Sequence, residues 1–264
     1  FSSNRELKKE FIMSSPAVSK EQKKDKKFLL IVIAASCLVA AMFGSRNSLS
    51  LTIEGIDQSQ TLNYLQISFA FALGQLVVGA ISPFAGMIAD KYGSGKTLTV
   101  GILLGLLGII LIPYSTTAFT LSISLGVISS IGLGVAGLPV VLASVNRLIP
   151  QNKVGMAFGL VNAGQSLGQL ILAPLAGFII VNFGWILCIL FLCTVLLLVL
   201  PFSFTLRSRT DTKQPSSVQT KSLSETLRIA FNTPSYIYLV VGFFVCGFHV
   251  AFIATHMPGV IQVC

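Results

Sequence analysis

Apolar positions along this 264-residue chain fall in long runs separated by short polar connections. A bilayer core about 30 Å thick needs about 20 apolar residues for each helical crossing. Seven runs meet that requirement, at 28–51, 62–89, 97–114, 119–148, 154–181, 185–205 and 235–264. The second, fourth and fifth are long enough to tilt. The pattern predicts an all-α membrane protein, a bundle of six helices with a seventh transmembrane helix after it. Composition agrees: 53% of residues are hydrophobic, 10% are charged, and the mean hydropathy is +0.84. A water-soluble domain carries about a quarter of its residues as charges.

Charge then orients the spans. Eight of the eighteen Lys and Arg precede Phe28, among them Lys20, Lys23, Lys24, Lys26 and Lys27. Lys91 and Lys96 lie between runs two and three, and Arg147 and Lys153 between four and five. Arg207, Arg209, Lys213, Lys221 and Arg228 lie between six and seven. The alternate connections, 54–61, 115–118 and 182–184, hold no Lys or Arg. By the positive-inside rule this is a multi-pass protein of the cytoplasmic (inner) membrane with its N-terminus in the cytoplasm. A signal peptide over 23–41 would remove the first member of that alternation, and the apolar run continues past any small-residue cleavage site. The net charge of +9 does not indicate nucleic acid, because the basic residues punctuate apolar runs instead of covering a folded surface.

Four parts follow: a basic segment (1–27), a six-helix bundle (28–205), a linker (206–234) and a seventh helix (235–264). In the linker, Ser222-Leu223-Ser224-Glu225 has the form of a capping box. Leu223, Leu227, Ala230 and Phe231 then recur at helical spacing before Pro234, as in an amphipathic helix lying along the membrane face. Phe1 is not an initiator, and run seven stops at Cys264 with no exit loop. The expectation is a piece of a longer protein whose C-terminal half is missing. The five cysteines include no C-x-x-C pair, and four lie inside apolar runs, where they read as small packing residues.

The sharpest motif lies between runs two and three, Gly86-Met87-Ile88-Ala89-Asp90-Lys91-Tyr92-Gly93-Ser94-Gly95-Lys96. It resembles the loop signature of the major facilitator superfamily, G-x-L-a-D-r-x-G-r-k. Gly86, Asp90, Lys91 and Gly93 match in place, while the second basic pair falls on Ser94 and Gly95. The resemblance implies a gating loop in which Asp90 helps hold the outward-facing state by contacts to the far half of the molecule. Within the superfamily the chain is most similar to the bacterial oxalate/formate-antiporter and monocarboxylate-transporter group. The segments carrying that likeness are 137–143, 164–169 and 247–252 continuing to His256. Residues 173–177 are a degenerate form of the antiporter glycine-proline motif, and the mid-helix Arg of proton-coupled members has no counterpart in run four.

Arg46 is the only cation in the interior of a run, away from its ends, and an Arg in a bilayer requires a reason. Two readings stay open: a guanidinium fork for a substrate carboxylate, or a side chain snorkelling to headgroups from the outer half of its span. Asn162, Gln165 and Gln169 share one face of run five and serve either as substrate contacts or as glue between helices. His249 near mid-span could meet an anion or simply pack. His249 and His256 stand about 10.5 Å apart along a helix, too far to share one metal ion. The spacings Gly155/Gly159 and Gly164/Gly168 suggest close helix packing.

The resemblance implies secondary transport of a small organic anion, a monocarboxylate by preference, with Arg46, Asn162, Gln165 and His249 as contacts. A coupled proton or counter-anion would be a further partner, beside the lipid bilayer. No cofactor is called for, and no nucleophile, acid pair or metal cluster supports an enzyme. The alternatives are a carrier for a cationic or neutral solute and a non-transporting receptor on the same fold.

Overall fold

The computed structural model describes residues 16–59, 62–207, 229 and 231–263, with side chains for 25–57, 62–207, 229, 231–250 and 253. Most of the linker, 208–228 and 230, with its capping box, lies outside the described residues. So do the side chain of His256 and all of Cys264.

Among the described residues, six helical spans are long and apolar enough to cross a membrane: Asp25–Asp57, Tyr64–Tyr92, Ser94–Tyr114, Ala118–Leu148, Gln151–Phe183 and Trp185–Thr205. A seventh helix, Pro234–Val263, touches the 3-10 turn Ser50–Thr52 within span one and the side of span two. The spans are sharply punctuated. Thr117 caps span four, its Oγ1 accepting from the Thr120 amide at 3.2 Å. Spans two and three are separated by Gly93 alone, at φ +91°, and spans five and six by Gly184 alone, at φ +85°. Only glycine adopts those angles readily, so each hairpin turns on one residue.

The recognised motif is therefore a helix end and not a loop. Helix continues through Asp90, Lys91 and Tyr92 and resumes at Ser94. Gly93 makes the turn. Gly86 lies on an open side of the helix, where an added Cβ would meet nothing within 4 Å.

Span four is not one regular helix. It runs through a π-helical stretch, Ser122–Ser129, and breaks at Ala136 and Gly137 before restarting at Leu138–Leu148. Serine hydroxyls serve the loosened backbone: Ser124 Oγ donates to the Leu121 carbonyl at 3.3 Å and Ser130 Oγ to that of Leu125 at 3.1 Å. Pro139, near the start of the second segment, has no N–H to continue the ladder.

The six spans form two exchanged triplets. Span one packs along span five, span two along span four, and spans three and six meet each other. The close approaches depend on absent side chains. A Cβ on Gly168 would stand 2.2 Å from the Ala40 carbonyl oxygen, and one on Gly164 2.7 Å from Ser36 Cβ. The Gly164/Gly168 spacing is thus a packing face, as its pattern suggests. Gly155 and Gly159 face open space. Thr99 and Ser203 hydroxyls join spans three and six at 2.7 Å.

The exchange exposes a repeat in the sequence. Pro83 lies inside span two ten residues before Gly93, and Pro174 inside span five ten residues before Gly184. In that register Pro83-Phe84-Ala85-Gly86 matches Pro174-Leu175-Ala176-Gly177, and Leu73-Gly74-Gln75-Leu76 recurs as Leu167-Gly168-Gln169-Leu170 three residues out of it. Spans two and five are also alike in burial: only 17% of each apolar stretch is covered. A pair of three-helix repeats is the build expected of such a half-bundle.

Candidate functional site

Charged groups collect at one end of the bundle. Arg147, at the end of span four, pairs with Asp90 at the end of span two. Lys153 Nζ, at the start of span five, lies 2.7 Å from Asp25 Oδ1 at the start of span one, and 5.3 Å from the centre of the Phe28 ring. The Arg207 backbone sits against Gly95 at the start of span three. Both acids come from the first triplet and both bases from the second, so each pair ties one triplet to the other. Lys91 lies over the ring of its neighbour Tyr92, 5.3 Å from its centre.

Away from that basic end, between spans one, two, four and five, lies a cavity of about 320 Å³. Its walls are largely apolar, from Met42, Phe43, Val78, Leu133, Leu138 and Pro139. Its polar groups are Arg46, Asn47, Gln75, Ser82, Gln165 and Gln169. A smaller hollow of about 40 Å³ adjoins it, shares Arg46 and Gln75, and reaches Ser129 and Ser130 at the end of the π-helical stretch. Widened turns of this kind often stand at functional sites.

Arg46 is turned inward. Its Nη2 donates to Gln75 Oε1 across the gap between spans one and two. Because guanidinium nitrogens only donate, the amide must present its oxygen to Arg46 and its nitrogen elsewhere. The cation remains unneutralised: no carboxylate pairs with it among the described residues. Gln165 and Gln169 make no hydrogen bond among the described residues, so their amides face the cavity unengaged. An apolar chamber with a cation and a few free amides suits a small anion with an apolar body.

Of the residues singled out from sequence, the structure brings Arg46 and Gln165 together and leaves Asn162 and His249 apart from them. Asn162 is exposed, one turn nearer the basic end, and its amide donates to the carbonyl of Phe158 in its own helix at 2.9 Å. It shares the open side of span five with Gln165 but is turned further from the packed face set by Gly164 and Gly168. His249 is exposed on the seventh helix, where its neighbours Gly247 and Val250 reach the cavity and it does not. Gln75 was missed. Its signal is an amide in mid-span, inside a Leu-Gly-Gln-Leu that recurs in span five.

The comparison that decides the family covers nearly all of this bundle: a sequence model described as Major Facilitator Superfamily matches residues 30–263. The chain belongs to the major facilitator superfamily. Among curated members of similar sequence, the Riboflavin transporter RibZ of Clostridioides difficile (strain 630) is 28% identical over 162 residues, 61% of this chain and 35% of the relative. Monocarboxylate transporter 11 of Mus musculus is 25% identical over 178 residues, 67% of this chain and 39% of the relative. Monocarboxylate transporter 2 of Homo sapiens is 27% identical over 156 residues, covering 59% and 32%. The chain thus spans between 30% and 40% of the length of these superfamily relatives.

Proposed function

We propose that this chain is the amino-terminal half of a secondary carrier for a small organic anion, a monocarboxylate by preference, working by alternating access. The observation that supports this most is Arg46, the one Lys or Arg placed well inside a span instead of near its basic end, turned into an apolar cavity beside unengaged amides. A guanidinium with no carboxylate partner among the described residues favours an anionic guest and disfavours a cation. The several relatives named monocarboxylate transporters point the same way.

In this reading residues 28–205 form one rocking unit, and the linker 206–234 leads to a second unit that begins with the helix from 235. The sparsely covered faces of spans two and five would meet that second unit. The basic end lies in the cytoplasm, in an inner membrane, following the charge alternation. Asp90, Lys91, Gly86 and Gly93 act at the hinge end of the unit, with Asp90 held by Arg147 in the conformer described. A proton or a counter-anion would be the coupled partner. The carrier makes and breaks no covalent bond in its substrate.

The test is uptake of labelled small carboxylates into proteoliposomes containing the full-length gene product, with and without Arg46→Gln. Saturable uptake that the substitution abolishes supports an anion carrier. Uptake that survives the substitution removes Arg46 from the site. Uptake of neutral solutes only, in the manner suggested by a relative named for riboflavin, would overturn the anion reading.

A further inference from the structure

Arg46 is held by a glutamine from the first triplet, and the second triplet carries a glutamine in the same four-residue setting, three residues out of the register set by Pro83/Pro174 and Gly93/Gly184. Leu73-Gly74-Gln75-Leu76 in span two and Leu167-Gly168-Gln169-Leu170 in span five are the same four residues. Their glycines do the same work: a Cβ on Gly74 would stand 2.6 Å from Ser130 Oγ in span four, and one on Gly168 2.2 Å from the Ala40 carbonyl in span one. Each glycine seats its helix on a span of the other triplet, and the glutamine one residue later enters the common cavity. The two amides then differ in occupation. Gln75 accepts from Arg46, whereas Gln169 makes no hydrogen bond among the described residues.

We infer that Gln75 and Gln169, which enter one cavity from matching Leu-Gly-Gln-Leu segments, have divided roles: Gln75 is a positioning residue that keeps the Arg46 fork in the cavity, and Gln169 is a specificity-determining contact that donates to the guest. The inference rests on the anion reading for Gln169 only. Without Gln75, the long Arg46 side chain, in the outer half of its span, is free to reach toward headgroups. With a carboxylate at 75, the guanidinium would be neutralised in place and the cavity would lose its attraction for an anion. Gln169 can offer its amide nitrogen to a carboxylate or hydroxyl oxygen that the Arg46 fork leaves unengaged.

Two measurements on the full-length gene product decide this. The first is uptake kinetics in proteoliposomes for wild type, Gln75→Leu, Gln75→Glu, Gln75→Asn and Gln169→Leu, each also combined with Arg46→Gln. Loss of one hydrogen bond to a charged group predicts that KM rises about tenfold in Gln75→Leu. Gln75→Asn should recover part of that loss, and Gln75→Glu should abolish saturable uptake. Gln75→Leu should add nothing once Arg46→Gln is present, because the two act as one unit. Gln169→Leu should raise KM on its own and change the ranking among carboxylates. Effects of Gln75 and Arg46 that simply add, or a Gln75→Glu protein with wild-type KM, would overturn the positioning role. A Gln169→Leu protein with unaltered KM for every carboxylate would overturn the contact.

The second measurement needs no guest: a double-mutant cycle of Arg46→Gln and Gln75→Leu on the melting temperature in detergent. Non-additive melting supports the pair, and additivity refutes it. If the wild type moves no carboxylate, the anion reading and the Gln169 contact fall together, while this cycle still decides the Arg46–Gln75 pair.

Discussion

Gly86 and Gly93 belong to one motif, yet their geometry assigns them opposite responses to the same substitution. Gly93 sits at φ +91°, where any L side chain is strained, so Gly93→Ala should lower stability by about 1–2 kcal/mol. Gly86 lies within a helix with open space where a Cβ would stand, so Gly86→Ala should be neutral or stabilising by about 0.5 kcal/mol. Melting curves of the two variants in detergent check both signs; equal losses would mean the turn does not depend on Gly93. The motif itself was legible in sequence, but this division of labour was not, because spacing does not report φ. Arg46 was legible for a simple reason: a cation in an apolar run has to be accounted for. Asn162 was grouped with Gln165 and Gln169 because the three recur on one face of run five. Only the packing of Gly164 and Gly168 on span one shows how far each is turned from the bundle.

At the scale of the helices, run length gave the spans because the bilayer fixes how many apolar residues a crossing needs. What run length cannot give is interruption. Residues 119–148 read as one helix, yet span four contains a π-helical stretch and a break, sustained by serine hydroxyls that an apolar count passes over. Small-residue spacing has a similar limit, since Gly155/Gly159 and Gly164/Gly168 look alike and only the second pair meets a partner helix. That difference is testable. Gly168→Ala puts a methyl against the Ala40 backbone, which cannot yield, and overpacking of this kind costs about 1–3 kcal/mol. Gly159→Ala has open space and should leave the six-span bundle's stability unchanged. Monodispersity and melting temperature after detergent extraction would separate them. A Gly168→Ala protein as stable as the wild type would mean that spans one and five do not cross this closely.

For the whole molecule, the charges at one end join the two triplets through exposed pairs, and that location fixes what they can do. The Asp90 and Arg147 side chains are 62% and 34% exposed, and an ion pair so open to solvent contributes only about 0–1 kcal/mol. Asp90→Asn should therefore barely move the melting temperature, and the small difference should vanish in high salt. Transport can respond far more than stability does, because a small bias between two conformers of similar energy changes how often each is visited. The expected outcome is a folded Asp90→Asn protein with an altered maximal uptake rate and a nearly unchanged KM, since Asp90 lies at the charged end of the bundle and outside the cavity lining. The reversed pair, Asp90→Arg with Arg147→Asp, should recover more of the rate than either single reversal. Recovery would make the link between triplets the working contact of the motif. Failure to recover, in a protein that folds and binds substrate normally, would mean that Asp90 acts through a different partner, and a contact across to the second unit would then be the one to seek.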